Sequence, residues 1–372
     1  MNSTFGGAFA GRRVVVTGHT GFKGGWLSEW LLGLGADVTG FALAPPTDPA
    51  LFDQLGLARR LRHREADVRD AHEVSRVVRE TRPDFVFHLA AQSLVRESYA
   101  HPVETFATNV MGTINVLEAV RGLDRPCVVI VVTTDKCYLN REWFYGYRED
   151  DPLGGRDPYS ASKAAAEIAT AAWRASFFGN SPVRIASGRA GNVIGGGDWA
   201  RDRIVPDCIR SLSAGRPIPV RNRLATRPWQ HVLEPLAGYL WLAASLAAPT
   251  VPRHDDDASL ESGFNFGPDS DSNRNVGELV GRVLDHWPGT WEDASDGGAP
   301  HEAKFLHLST DKAARLLRWR PVWSFDRTIA ETVGWYRDTV GLGLSGIAEH
   351  TRRQIASYSA DAAAAGLPWA TT

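Results

Sequence analysis

Tyr159 and Lys163 stand four residues apart in Tyr159-Ser160-Ala161-Ser162-Lys163, where a helical pattern from Ser160 to Phe178 begins. A spacing of four puts both side chains on one helix face. An ammonium beside a phenol lowers the phenol's pKa, so a tyrosinate there could accept a proton from a substrate hydroxyl. A lone YxxxK is common by chance, and its weight here comes from what precedes it. Thr133-Thr134-Asp135-Lys136-Cys137-Tyr138 follows the apolar run Cys127 to Val132. That turn offers a hydroxyl, a carboxyl and an amine together, more acid–base equipment than hydride transfer alone requires. The plain alternative is a polar turn with a surface ion pair. Its place at the carboxyl end of a central strand favours chemistry. The chemistry carries a tension: a basic Lys136 must be neutral and an acidic Asp135 must carry a proton, whereas the unperturbed pair at neutral pH is Lys⁺ and Asp⁻. Burial would move both toward neutrality, and an ion pair would oppose both shifts.

A second feature lies near the start. Thr17-Gly18-His19-Thr20-Gly21-Phe22-Lys23-Gly24 follows the β-branched run Arg13-Val14-Val15-Val16 and has GxxGxxG spacing. Glycine permits the tight turn and lets backbone N–H groups approach a pyrophosphate at the helix N-terminus. A bland loop is the alternative; the strand-to-helix position favours a dinucleotide. The acid expected ~20 residues on, to hold the ribose hydroxyls, is missing. Phe41-Ala42-Leu43-Ala44 stands there, with no arginine for a 2′-phosphate either, so NAD and NADP are not distinguished and a loosely held cofactor is predicted. Asp67-Val68 follows the strand candidate Leu61 to Glu65. Asp67 could accept from an adenine amino group while Val68 packs on the ring. Asp67 capping the helix from about Asp70 is the other reading, and the two are compatible.

The elements that must position these residues are short apolar strands alternating with helices. Strand candidates are Arg13–Thr17, Asp37–Leu43, Leu61–Glu65, Phe85–Leu89, Cys127–Val132 and Arg184–Ser187, with Phe264–Phe266 returning later. Helical patterns cover Gly25–Leu34, Ala71–Glu80, Val103–Val120 and Ser160–Phe178. This alternation predicts an α/β fold, a Rossmann-like doubly wound parallel sheet covered on both faces. A smaller, interleaved C-terminal lobe is expected to bind substrate. The predicted division is 1–188 for the dinucleotide, with returning segments at about 228–268, and 189–227 plus 269–372 for the substrate lobe. Helices are expected at Arg203–Ala214, Asn275–Trp287 and Asp311–Leu317, solvated loops at His254–Asp257 and Asp293–Pro300, and an Ala-rich peripheral end at Ala360–Ala365.

Composition narrows the class. The 372 residues are 43% hydrophobic and 23% charged, ordinary for a folded globular chain. Forty-one Lys and Arg against 43 Asp and Glu leave no basic stripe for nucleic acid. Cys127, Cys137 and Cys208 lack the spacing of a disulfide framework or zinc site and fit a reducing cytoplasm. The apolar run Leu236–Ala248 is too short for a membrane span of ~20 residues, and MNSTFGGAFAGRR lacks a signal-peptide layout.

At these residues the sequence resembles the extended short-chain dehydrogenase/reductase superfamily and, more closely, is similar to the CDP-glucose 4,6-dehydratases. The stretches that carry the likeness are TGHTGFKGGWL (17–27), FHLAAQ (87–92), TNVMGTINVLEA (108–119), TTDKCY (133–138), DPLGGRDPYSASK (151–163), RAGNVIGGGDWARDRIVPD (189–207) and RPWQHV (227–232). Tyr-x-x-x-Lys and the glycine turn mark the superfamily; Asp135-Lys136 and GGGDW are more specific. The resemblance implies NAD as cofactor and a nucleotide sugar as substrate. Tyr159 would remove the 4-hydroxyl proton while NAD takes the C4 hydride, which later returns to C6. Lys163 would hold the nicotinamide ribose and depress the tyrosine pKa, and Thr134 would hydrogen-bond the 4-oxygen. Lys136 would take the C5 proton, and Asp135 would protonate the departing 6-hydroxyl. The product would be a 4-keto-6-deoxy sugar nucleotide, with no net cofactor consumption. Gly18, Thr20, Gly21, Phe22, Lys23, Gly24, Asp67, Val68, Leu89, Ala90, Gln92 and Thr133 would line the cofactor, and Asn109 would brace the active-site helix through backbone or water. Asn192 would touch the substrate's pyrophosphate, Arg203 the substrate, Arg227 its phosphates and His301 its base.

Two rival readings stay open: an epimerase or dehydratase of this fold acting on another nucleotide sugar, such as a GDP-heptose, and a silent nucleotide sensor. Asp135-Lys136 argues against simple epimerisation, and a sensor needs none of the five acid–base residues. A homodimer is expected from the apolar faces of Val103–Val120 and Ser160–Phe178, with intrachain packing as the alternative.

Overall fold

Five apolar or β-branched runs and one polar edge strand build the frame. The computed structural model describes residues 4–248, 259–295 and 305–371. Strands β1 (Arg13–Thr17), β2 (Asp37–Ala42), β3 (Arg62–Glu65), β4 (Phe85–His88), β5 (Cys127–Val132) and β6 (Val183–Arg189) join strand Gly263–Asn265 in one seven-stranded sheet. Its order is Gly263–Asn265, β6, β5, β4, β1, β2, β3, and every pairing is parallel. All six residues of β5 are buried because helices cover both faces. Alternate residues feed two cores. Val14, Val16, Phe85, Phe87, Val128 and Ile130 meet helices Phe22–Gly33 and Leu233–Ala247 on one side. Val15, Val86, Val129 and Val131 meet Val74 and Val78 of helix Ala71–Thr81 and Val116 and Leu117 of helix Gly112–Arg121 on the other. β3 closes one edge with exposed Arg62, Arg64 and Glu65, charges that blunt further strand pairing.

The chain runs outward through β1, β2 and β3 and then crosses back to β4 on the far side of β1. That reversal opens a crevice at the carboxyl ends of β1 and β4, the place where doubly wound sheets bind ligands. His88 pins it: Nδ1 lies 2.7 Å from Thr17 Oγ1 and Nε2 lies 3.0 Å from Thr113 Oγ1. Burial pushes this imidazole down to about 3, so it stays neutral.

Asp70, not Asp67, caps the Ala71–Thr81 helix, accepting from the His72 and Glu73 N–H groups. The stretch expected as one helix from Val103 is three consecutive helical segments, Pro102–Phe106, Ala107–Met111 and Gly112–Arg121, and helix Pro158–Trp173 continues through Arg174–Phe178. The apolar run Leu236–Ala248 belongs to a buried helix, and no helix among the described residues is long and apolar enough to cross a membrane. The Ala-rich stretch Ala360–Ala365 is mostly exposed, as expected, with Ala362 buried. Ala360–Ala364 closes the helix Leu344–Ala364, whose Ile347, Thr351, Ile355, Tyr358 and Ala362 form a buried face at helical spacing. Beyond it Trp369 stacks on Phe5 at 4.9 Å and on Tyr358 at 5.8 Å. The composition hid this because alanines mark no anchor, and the anchoring aromatics sit outside the Ala-rich stretch. Helix Phe325–Thr339 is a further element not anticipated from the sequence.

Glu234 ties this lobe to the sheet-covering helix. Its buried carboxyl accepts from Trp323 N at 2.7 Å, Val322 N at 3.0 Å and Tyr358 Oη at 2.7 Å. Burial outweighs these donors and pushes the group from 4.5 up to about 7. The folded state therefore binds the proton more tightly than the unfolded chain. The stabilisation is fully present below the unfolded value and is lost as pH rises through the folded one. Relative to Glu234→Gln, the native protein is expected to lose thermal stability between about pH 5 and pH 8, by on the order of a few kcal/mol. Parallel melting-temperature profiles for the two proteins would remove this assignment.

Candidate active site

The glycine turn leaves β1 and enters helix Phe22–Gly33. Gly18 has φ +74°, and a Cβ there would stand 2.7 Å from Ala90 N. A Cβ on Gly24 would stand 2.1 Å from Gly18 O. The turn is therefore closed against the helix and the β4 end with only glycine room. Gly21 is the helix N-cap and supplies no side-chain cap, so the first-turn N–H groups are left to face the crevice. Thr20 Oγ1 donates to Leu43 O at 3.0 Å, and Phe22 is half-buried. Beneath the acid-free end of β2 lies His19, so close that a Cβ on Gly40 would meet its ring at 2.3 Å. His19 Nε2 is 2.8 Å from His63 Nδ1, and burial, aided by His63, pushes His19 down to about 4.

The other residues expected along the cofactor divide into two groups. Val68 is buried against Gly112, and Leu89 and Ala90 line the β4 end. Asp67 is held by Arg69, with contacts of 2.6 Å to Nη2 and 2.8 Å to Nε, and the arginine keeps its carboxyl below the usual range. Three side chains turn inward instead. Gln92 donates to Thr105 Oγ1 and accepts from Leu94 N. Thr133 gives its hydroxyl to Glu167. Asn109 donates to Ser162 Oγ at 2.8 Å and to Gln92 O at 3.0 Å. Its brace on the Tyr159 helix is thus direct, through a side chain.

The acid–base residues converge at the end of β5. Asp157 caps helix Pro158–Trp173, with Pro158 at its first turn, which fixes Tyr159 and Lys163 on the inner face. Burial pushes the Tyr159 phenol up to about 12, while the neighbouring Thr134 hydroxyl and Arg203 act in the opposite direction. Lys163 Nζ donates to Val132 O at 3.2 Å, and burial pushes it down to about 8. Thr134 Oγ1 donates to Asp135 Oδ1 at 2.9 Å and accepts from Lys136 N at 3.3 Å. Asn192 Nδ2 donates to Asp135 Oδ2 at 3.1 Å. A Cβ on Gly191 would lie 2.0 Å from that carboxyl. Lys136 is half-buried on the same turn, Asp135–Cys137.

The GGGDW segment supplies the opposite wall. Arg203 Nη1 donates to buried Asp198 at 2.9 Å, and Nη2 reaches Ser93 Oγ at 3.3 Å. Lys23, half-buried, feels Arg203, Asp135, Lys163 and Asp198, and burial followed by Arg203 pushes its amine down to about 7. Arg227 is half-buried on strand Thr226–Pro228, and the neighbouring Gln230 N donates to Asn192 O at 3.3 Å. Arg221, a few residues before Arg227, is paired with Asp202 at 2.5 Å and Asp207 at 3.1 Å. His301 lies outside the described residues.

Sequence reading missed Asp198, Lys23's closeness to the acid–base groups, and the pair Glu167–Arg189. Glu167 stands one turn beyond Lys163 and accepts from Ser187 Oγ at 2.7 Å and Arg189 Nη2 at 2.8 Å. Arg189 in turn donates to Tyr138 Oη at 2.7 Å. The only sequence signal was two charged residues inside otherwise apolar or small-residue stretches.

The pattern of the GDP-mannose 4,6 dehydratase family matches residues 15–266. A CDP-glucose 4,6-dehydratase of Salmonella typhimurium is 46% identical over 336 residues, covering 88% of this chain and 91% of that protein. A dTDP-glucose 4,6-dehydratase of Streptomyces venezuelae, solved with NAD bound, is 26% identical with a TM-score of 0.72, covering 88% of this chain and 98% of that one. A UDP-glucose 4-epimerase of Thermus thermophilus, also solved with NAD, is 26% identical with a TM-score of 0.71, covering 88% and 99%.

Gly191→Ala forces a methyl into the Asp135 carboxyl. A displacement on the order of 1 Å is expected to lower dehydratase turnover about 100-fold, with the circular-dichroism spectrum retained. Initial rates equal to those of the native protein would show that the carboxyl's position is not needed.

Proposed function

The chain belongs to the GDP-mannose 4,6 dehydratase family, and from that membership we propose that it is a hydro-lyase that converts CDP-glucose to CDP-4-keto-6-deoxyglucose with NAD. The observation that carries the reading is the buried Asp135 carboxyl in hydrogen-bond contact with Thr134, with Lys136 on the same turn. Oxidation at C4 alone needs Tyr159, Thr134 and Lys163; a further carboxyl and amine suit elimination across C5 and C6. The choice of CDP-glucose follows the 46% identical relative.

The uncapped N-terminus at Gly21 and the glycine-only closure at Gly18 and Gly24 fit a dinucleotide pyrophosphate. Backbone groups of Gly18 to Phe22 would hold it, with Asp67 and Val68 toward the adenine, Leu89 and Ala90 along its length and Lys163 at the nicotinamide ribose. Bound NAD supplies a hydride acceptor for C4 and a donor for C6. The chain's own residues do the rest. Tyr159 accepts the 4-hydroxyl proton with Thr134 on the same oxygen. The ketone so formed acidifies C5–H, and Lys136 takes that proton and returns it to C5 once the hydride has reached C6. Asp135 gives a proton to the departing 6-hydroxyl, which leaves as water. Arg203 and Arg227 would fork onto the substrate phosphates. Asn192, expected on the same pyrophosphate, also holds Asp135 through its amide.

A homodimer and a cytoplasmic setting complete the reading. Val103 is 80% exposed, Met111 51% and Ile168 57% on helical segments that pack side by side over one sheet face, and a second copy would cover them. The three thiols are free and buried, as a reducing compartment permits.

With added NAD, the protein is expected to turn over CDP-glucose to a product lighter by one water that absorbs in alkali as a 4-keto sugar. UDP-, dTDP- and GDP-sugars run in parallel. Activity on one of those alone keeps the reaction and discards the base; silence with all four sinks the dehydratase reading. Light scattering is expected to give the mass of a dimer, and Ile168→Glu that of a monomer; a native monomer would refute the paired helices.

A further inference from the structure

The acid–base groups sit on two different elements. Tyr159 and Lys163 belong to helix Pro158–Trp173, and Asp135 and Lys136 to the turn Asp135–Cys137. A single turn of this kind has poor internal hydrogen bonding and holds itself weakly. Its own backbone bonds are long, 3.3 Å from Cys137 N to Thr134 O and 3.5 Å from Tyr138 N to Asp135 O. Leu139 N donates to Pro152 O and Gly154 N to Cys137 O, which joins the turn to the loop that follows it, not to the helix or the sheet. The Asp135 side chain has Asn192 and Gly191 against it. The backbone that carries Lys136 needs anchors of its own.

Both flanks of the turn end on one buried ion pair. Upstream, the Thr133 hydroxyl donates to Glu167. Downstream, Tyr138 Oη accepts from Arg189 Nη1 at 2.7 Å and donates its one proton to Asn265 Oδ1 at 2.7 Å. Glu167 Oε2 accepts from Arg189 Nη2 at 2.8 Å and closes the circuit. The pair is itself fixed. Glu167 stands on the helix one turn past Lys163 and also accepts from Ser187 Oγ at 2.7 Å. Arg189 ends β6, and its Nη1 also donates to Glu149 O at 2.9 Å. A Cβ on Gly263 would stand 2.7 Å from Arg189 Nη2, so the neighbouring strand leaves the guanidinium little room to shift. Thr133, Tyr138, Glu167, Arg189 and Asn265 are all buried, so a lost partner is costly and is not replaced by bulk water.

From this circuit we infer that Glu167 and Arg189 are positioning residues that clamp the catalytic turn at both flanks, through Thr133 and Tyr138, and so set Thr134 and Lys136 against Tyr159 and Lys163. The inference rests on the dehydratase reading above. Oxidation at C4 and proton removal at C5 act on adjacent carbons of one sugar, so the groups on the helix and those on the turn need a fixed separation. A circuit through one carboxylate on the helix supplies it. The two flanks carry different chemistry. Thr133 precedes Thr134, the residue on the 4-oxygen, so the upstream tie serves oxidation and everything after it. Tyr138 stands two residues after Lys136, so the downstream tie serves removal of the C5 proton.

Replacing Arg189 would strand Glu167 in the interior and endanger the fold, so the test loosens one tie at a time. Rates are compared on CDP-glucose and on CDP-6-deoxyglucose, which can be oxidised at C4 but has no 6-hydroxyl to expel. Tyr138→Phe is expected to slow dehydration of CDP-glucose about 100-fold, as for a catalytic group displaced by on the order of 1 Å. It is expected to raise the isotope effect of deuterium at C5 and to keep the native rate of C4 oxidation on the 6-deoxy compound. A smaller folded fraction would lower both rates and leave the isotope effect unchanged. Thr133→Val is expected to slow both reactions, and Thr133→Ser, which keeps the hydroxyl, to restore them. Native rates in Tyr138→Phe, equal losses on both substrates or an unchanged isotope effect would reduce Tyr138 to a packing residue and overturn the clamp. Amide hydrogen exchange needs no substrate. Exchange over residues 134–138 is expected to quicken in Tyr138→Phe while residues 158–173 keep their native protection, and exchange equal to the native protein's would equally overturn the inference. A native protein that dehydrates no nucleotide sugar sinks the function instead, and the exchange comparison still decides the clamp.

Discussion

A carboxyl with no access to water must find hydrogen-bond donors inside the protein, and that requirement at Asp135 organises the site. Its side chain sits at the end of β5, 1% exposed, where the sheet offers no free N–H. Thr134 supplies one donor from the preceding residue. The other comes from Asn192, whose φ of +50° is unusual for a residue with a Cβ. Asparagine is among the few side chains that tolerate this region, because its short polar group bonds locally. Gly191 before it is equally constrained, since any Cβ would lie on the carboxyl. Gln230 N then holds Asn192 O at 3.3 Å. One buried group thus links β5, the segment after β6 and the strand that leads to Arg227.

A second buried charge pair does comparable work behind Lys163. Glu167 and Arg189, both under 6% exposed, bind the active-site helix to the end of β6. Arg189 continues to Tyr138 Oη, which donates to Asn265 Oδ1 at 2.7 Å, and Asn265 Nδ2 donates to the carbonyls of Tyr147 and Ser309. Such pairs are weak sources of net stability because desolvation offsets their attraction. Their effect here is geometric. Breaking one member would strand the other without solvent, so the helix cannot slide along the sheet without a large penalty. The placement of Tyr159 and Lys163 beside the Thr134–Asp135 turn depends on that fixed register.

The frame was legible because it rests on local signals. The runs Arg13–Thr17, Phe85–His88 and Cys127–Val132 are continuous and β-branched, and buried parallel strands require that. Tyr159 and Lys163 share a face by helical spacing alone. What the sequence did not show are partners chosen by tertiary contact. The Asn192 amide meets a carboxyl 57 positions away in the chain. Thr133 lies beside Thr134 in sequence, yet adjacent residues diverge at the strand end, and its hydroxyl faces Glu167. The helix Leu344–Ala364 escaped because its buried face mixes Ile347 and Tyr358 with Thr351 and Ala362, a weak apolar stripe made strong by the aromatics of Phe5 and Trp369.

The two glycine runs differ for a physical reason that spacing alone does not reveal. In the first, Gly18 and Gly24 clear backbone from backbone, so N–H groups face an open crevice. In Gly195-Gly196-Gly197 the neighbours are side chains from three other elements. A Cβ would meet Val232 at 2.8 Å, Trp335 at 2.0 Å and Leu51 at 2.5 Å, respectively. Trp26 Nε1 also donates to Gly196 O at 2.9 Å. This second run is therefore a seam packed from both halves of the chain. It carries Asp198 and, through it, Arg203. Arg203, proposed to face the substrate, is held by a carboxylate whose loop is wedged between tryptophans, which explains how a charged wall can be built from a stretch with almost no side chains of its own.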